Sequence, residues 1–263
     1  MRFKDRFKMY LRAMPRSFYD PLQYRAAISQ WTGIGALYLL ILSAIISVFA
    51  VGMVGYGAYL FRHNELPAIV KQIPTIIVEN GQVSVDAKQP VIIHDKDDKF
   101  KIVIDTNATS EELQKQDVML GVGKDFVVYK SRDVYDTKGL QEFKDKMVID
   151  QNSVKSTFTN LTRAIPVVLY PLSVLSQFVN YMFQALLIAL CSYALTSIIR
   201  EEFTLETRMR LAALALTPAV FITTASLIIF QHQMAMWFNL LLALLFMYAM
   251  ILLMRRVPTA IDA

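Results

Sequence analysis

The chain has one cysteine, Cys191, so neither a disulfide framework nor a thiolate metal site can be built within a single copy. Its three histidines, His63, His94 and His232, fall in separate segments, and H-E-x-x-H, G-x-S-x-G, P-loop and S-x-x-K patterns are all absent. Catalysis therefore has no candidate residues, and neither an enzyme nor a cofactor is expected. The one dense polar cluster, His94, Asp95, Asp97 and Asp98, has Lys96 and Lys99 between its acids and lacks the glycine and distal glutamate of a calcium loop. It reads as a solvated hairpin turn. Charge is scarce as well: Asp, Glu, Lys and Arg make up 19% of the residues and are clustered.

Between the clusters lie runs with no charge at all. Ile34 to Phe61 is long enough to cross a bilayer, which takes about 20 apolar residues as a helix. A second run lies between Arg163 and Arg200 and carries Pro166 and Pro171 at its front, with its membrane core at Ser176 to Ile199. Whether Pro166 to Leu175 lies in the interface or extends the second helix is left open by the residues. A third run, between Arg210 and Arg255, is interrupted by Gln231, His232 and Gln233 and divides into two helices. The reading is a membrane α-helical bundle of four spans with an inserted α+β, mainly β, domain. Its parts are a leader 1–33, span 34–61, domain 62–163, juxtamembrane segment and span 164–199, loop 200–210, span 211–230, turn 231–235, span 236–254 and tail 255–263.

Lys and Arg near span ends set orientation. They crowd the leader (Arg2, Lys4, Arg6, Lys8, Arg12, Arg16, Arg25), the loop (Arg200, Arg208, Arg210) and the tail (Arg255, Arg256), which four spans put on one side. The turn "QHQM" has none. Both termini are expected in the cytoplasm and the inserted domain outside it. The excess of basic residues, a formal charge of +5, is explained by lipid headgroups, and no nucleic acid is expected.

The inserted domain opens with "TIIVENGQVSVD", alternating apolar residues around Asn80-Gly81, a hairpin signature. "QPVIIHD" and "KFKIVID" continue as strands, "TSEELQK" is a capped short helix, and "DVMLGVGKDFVVYKS" returns to strand with Gly121 and Gly123 as turn candidates. "TKGLQEFKDKMV" reads as an amphipathic helix.

Polar residues inside lipid are costly, so their spacing is informative. In the second span Gln177, Asn180 and Gln184 share one helical face, which Ser173 and Cys191 extend. The face either lines a polar path or makes interhelical hydrogen bonds. Ser43, Ser47, Ala50 and Gly57 form a stripe of small residues in the first span. The leader groups Phe3, Phe7, Leu11 and Met14 on one face with Lys4, Lys8 and Arg12 around them, as in a helix lying on an anionic membrane surface.

Three stretches, "SFYDPLQYRAAISQWTGIGALYLLIL", "IPTIIVENGQVSVDAKQPVIIHD" and "TLETRMRLAALALTPAVFI", are similar to an uncharacterised bacterial membrane family, the domain-of-unknown-function family numbered 1189. The third also resembles the corresponding helix of Yip1-like membrane proteins, with Pro218 after its small residues. That resemblance implies bacterial origin and a multi-pass topology and supplies no catalytic residues. The expected function is a non-enzymatic inner-membrane accessory or sensor subunit whose external domain recognises an envelope partner, protein or glycan. Its expected partners are membrane lipids and other inner-membrane or envelope proteins. The alternative is lipid handling or small-solute permeation along the Gln177, Asn180 and Gln184 face.

Overall fold

The computed structural model describes residues 3–94, 101–131, 134–199, 202–230 and 236–256. Two compact units emerge, one from residues 1–52 and 168–263, the other from residues 53–167. Among the described residues four helices are long and apolar enough to cross a membrane: Ala36–Val70, Gln151–Ala194, Leu205–Phe230 and Trp237–Arg256.

The first unit begins with two short helices, α1 (Phe3–Arg16) and α2 (Pro21–Ser29). The break between them follows from chemistry at Asp20 and Pro21. Pro21 is pre-set for a first helical turn, and the Asp20 carboxylate accepts from the Leu22 amide as an N-cap. The spans contribute α3 (Ala36–Leu60), α6 (Gln151–Ile199), α7 (Leu205–Phe230) and α8 (Met236–Arg256), of which α3 and α6 also carry residues of the second unit. Helix α7 is the axis of the core: Leu211 to Leu216 are fully buried, a run of Ala and Leu whose small members let neighbouring backbones come close. It packs against α8 and α2.

Two of the expected boundaries move. The loop 200–210 is shorter, because Thr204 starts α7: its hydroxyl accepts from the Thr207 amide and its carbonyl from the Arg208 amide. Arg208 and Arg210 are thereby helical. The second span belongs to a helix of 49 residues that starts at Gln151 and runs through both prolines, so Pro166 to Leu175 is helical. A proline deprives its helix of one amide donor, and here the ladder continues on either side.

In the second unit the end of α3 passes into a π-helical turn, Phe61–Glu65, and then α4 (Leu66–Val70), so helix outlasts the uncharged run. Strands β1 (Ile76–Glu79) and β2 (Gln82–Val85) form the expected hairpin, with Asn80 at φ 51° and Gly81 at φ 75°, the left-handed pair that a two-residue turn requires. A second sheet has the order β3 (Val91–His94), β4 (Lys101–Ile104), β5 (Leu120–Val122), β6 (Phe126–Ser131) and β7 (Val134–Gly139). All its pairs are antiparallel except β4 with β5, which α5 (Ser110–Lys115) connects. The Thr109 hydroxyl accepts from the Glu112 amide and the Glu112 carboxylate accepts from the Thr109 amide, a capping box at the start of the capped helix expected in "TSEELQK". Those bonds hold the Glu112 carboxyl below its ordinary pKa.

Two expectations for this unit are overturned. "TKGLQEFKDKMV" is not a helix: Thr137 to Gly139 finish β7, and Met147 and Val148 open β8 (Met147–Ile149), which pairs with β1. The stretch between is held by distant partners, the Leu140 amide donating to the Asp125 carbonyl and the Gly81 amide to the Phe143 carbonyl. Those long-range bonds outweigh a weak helical period. Gly121 is not a turn residue either. It sits inside β5, where an added Cβ would stand 3.1 Å from Leu113, so its bareness lets α5 seat against the sheet. Of the cluster His94, Asp95, Asp97 and Asp98, only His94 is among the described residues.

Candidate functional site

The expected polar face of the second span divides. Gln177 and Asn180 line a cavity of about 150 Å³ together with Thr223, Thr224 and Asn239 from α7 and α8. The Thr223 hydroxyl lies 3.1 Å from the Asn239 side-chain oxygen and equally near the Ala219 and Val220 carbonyls. Gln184 is not part of this lining. It is 2% exposed, donates to the Asn180 side-chain oxygen at 3.3 Å, and its own oxygen has no partner among the described residues. Cys191, which the same face was expected to include, is exposed. The cavity falls below the roughly 300–1,000 Å³ of ordinary ligand pockets. Its size suits a few waters held by amides and hydroxyls, and no charged group lines it.

Sequence reasoning did not find Asn239, Thr223 or Thr224, because they belong to two other helices and only the packing of three helices brings them beside Gln177 and Asn180. The small stripe has a plainer role. Ser43 and Ser47 are buried; the Ser43 hydroxyl donates to the Leu39 carbonyl, and the Ser173 hydroxyl donates to Ser47, joining α6 to α3.

The leader is docked as well as amphipathic. Tyr10, Ala13 and Met14 of α1 are buried, with the Tyr10 ring edge-on to Trp31 at 4.8 Å and to Tyr38 at 5.8 Å. Met14 therefore leaves the lipid-facing set and joins the core. Phe7 and Leu11 stay exposed, at 39% and 38%, as do Lys4, Lys8 and Arg12, while the Phe3 side chain lies outside what is described. Lys8 and Arg12, with Arg16, line a groove between α1 and α2 that Asp5 and Asp20 also border. The helix thus turns Tyr10, Ala13 and Met14 inward and leaves Phe7 and Leu11 on its outer face.

Three arginines counted for orientation also tie helix ends together. Arg25 donates to the Met254 carbonyl near the end of α8, and Arg210 donates to the Gly33 and Ile28 carbonyls and to Glu206. A cation at a helix C-terminus meets carbonyls that have no partner within the helix. Arg208 is 4% exposed; it donates to the Phe203 carbonyl and Ser192 and lies over the Tyr193 ring at 3.7 Å. Nothing in sequence distinguishes this buried arginine from Arg210, which is only partly buried.

Four apolar helices and an α+β domain between the first two define the class, a multi-pass helical membrane protein with an inserted folded domain. The chain belongs to the DUF1189 family, described as proteins of unknown function, whose model matches residues 11–253. Neither a curated protein nor a solved structure matches it.

Proposed function

We propose that this protein is a non-enzymatic subunit of an assembly in the bacterial cytoplasmic membrane, with the helical bundle as anchor and the inserted domain recognising an envelope partner outside the cytoplasm. The observation that carries the reading is the surface of the inserted domain. Ile92, Met119, Val134, Phe143, Met147 and Val148 are all exposed, four of them within residues 134–148. Exposed large apolar side chains suit a protein partner better than a glycan. The basic residues of the leader and of α7 support a cytoplasmic location for that end of the bundle.

Co-purification from native membranes in mild detergent tests this. Val134→Lys with Phe143→Lys is expected to reduce a stoichiometric partner about tenfold while insertion and thermal midpoint stay unchanged. Deletion of Ile73 to Val148 is expected to abolish association, and undiminished partner recovery with that deletion would sink the proposal.

A second reading is favoured by the polar cavity. Its Gln177, Asn180 and Asn239 lining suits water or a small neutral solute, and a permeation role would pass through it. Gln177→Leu with Asn180→Leu is then expected to remove most solute-driven swelling of reconstituted vesicles. Swelling equal to that of the unaltered protein would leave the cavity as packing alone.

A further inference from the structure

The second unit holds a larger cavity, of about 490 Å³, formed where α4 and the π-helical turn face the first turns of α6. Its origin is local. The Phe61 and Phe158 rings lie 6.3 Å apart, and the Gln151 side-chain amide donates to the Ile73 carbonyl at 3.2 Å. Along Phe61–Glu65 the backbone takes the π-helical turn, which widens the helix and shifts its register. Turns of this kind are rare and concentrate at functional sites. Pro67, at the start of α4, follows at once.

The cavity's charge is one-sided. Arg62 and Lys71 contribute from one wall, Lys155 and Arg163 from the other, and among the described residues no acidic side chain lines it. None of the four makes an ion pair among the described residues. Asp150, just before α6, is already engaged: its carboxylate accepts from the Ser153 amide, which with neighbouring bonds holds its pKa below the ordinary value. The floor is apolar, with Leu66 3% and Val70 7% exposed.

Depth completes the chemistry. Arg62 is the first charged residue after the uncharged run 34–61, and Arg163 the last before the uncharged run 164–199. Charges at those positions sit where hydrocarbon gives way to headgroups. We propose that this cavity binds the phosphate of an anionic phospholipid, with Arg62 and Lys71 on one wall and Lys155 and Arg163 on the other supplying the positive charge. None of its residues lies in the 134–148 stretch assigned to a protein partner, so the two assignments stand or fall separately.

The test uses the full-length protein in phosphatidylcholine vesicles doped with phosphatidylglycerol bearing a photoreactive headgroup. Adducts are expected on Leu66–Lys71 and Gln151–Arg163. Removing two cations, with Lys71→Gln and Lys155→Gln, is expected to lower labelling there about 30-fold. Lys71→Arg with Lys155→Arg is expected to retain it, as is the leader variant Lys8→Gln with Arg12→Gln. Glycerol phosphate in solution carries the same phosphate chemistry without acyl chains and is expected to compete only weakly. Equal labelling by a phosphatidylcholine probe, adducts confined to other segments, or competition by glycerol phosphate as strong as by the lipid would each overturn the assignment.

Discussion

Tyr24→Ala is expected to destabilise the helical unit by about 3–5 kcal/mol, the range for deleting a fully buried aromatic side chain. Tyr24 is 0% exposed, although it belongs to a helix far too short to cross a membrane. Its ring is enclosed where α2 packs on α7 and α8, and its hydroxyl donates to the Ser17 carbonyl at 3.1 Å, clasping the connection between α1 and α2. Burial pushes the phenol far above its ordinary pKa, so it remains a neutral donor throughout the accessible range. Truncation removes the ring contacts and leaves the Ser17 carbonyl without that donor. Tyr24→Phe keeps the shape and is expected to cost only about 1 kcal/mol. Thermal unfolding in detergent, followed by near-ultraviolet circular dichroism, separates the two. An unchanged midpoint for Tyr24→Ala would mean that the leader rests on lipid and is not a part of the bundle.

The second large effect is expected at the hairpin. Gly81→Val adds about 1–2 kcal/mol for a branched side chain in the left-handed region and about 1–3 kcal/mol for crowding. The crowding is with backbone, which has little freedom to retreat: an added Cβ would lie 3.0 Å from the Leu140 carbonyl oxygen and 3.1 Å from the Gln141 Cα. The same glycine's amide donates to the Phe143 carbonyl, so the substitution strains the hairpin and the 140–143 segment together. Hydrogen exchange is expected to show lost protection across Ile76 to Val85 and Met147 to Ile149, with the helices of the other unit unaffected. Gly81→Asn tolerates the left-handed backbone, so it is expected to show the crowding cost alone. Full protection in Gly81→Val would mean that the hairpin and the 140–143 segment are not coupled.

Much of the inserted domain was legible because its signals are local. Asn80-Gly81 names its own turn, Thr109 and Glu112 name a helix start, and runs of valine and isoleucine name strands β1 to β4. The failures share a cause. Residues 137–148 carry a helical period, yet β1 offers Met147–Ile149 a strand partner and Asp125 and Gly81 offer hydrogen bonds to the chain between. Gly121 resembles turn punctuation until Leu113 is placed against it. In the leader, the period correctly announced an amphipathic helix but did not say which face would find the bundle. Tyr10, Ala13 and Met14 did, and Phe7 and Leu11 did not.

By itself the sequence determined that the chain carries four apolar helices long enough to cross a membrane and an α+β domain, because the hydrophobicity of a run and the chemistry of a turn act over neighbouring residues and need no partner. Tertiary structure alone decided the rest: that Gln184 stays outside the cavity that Gln177 and Asn180 line, that Thr223 and Asn239 join those two, and that cations separated by a whole domain in the chain, Arg62 and Lys71 with Lys155 and Arg163, line one cavity. Each of these depends on which helices pack and in what register. That choice is a sum of many small contacts between distant residues, and no single stretch of chain contains it.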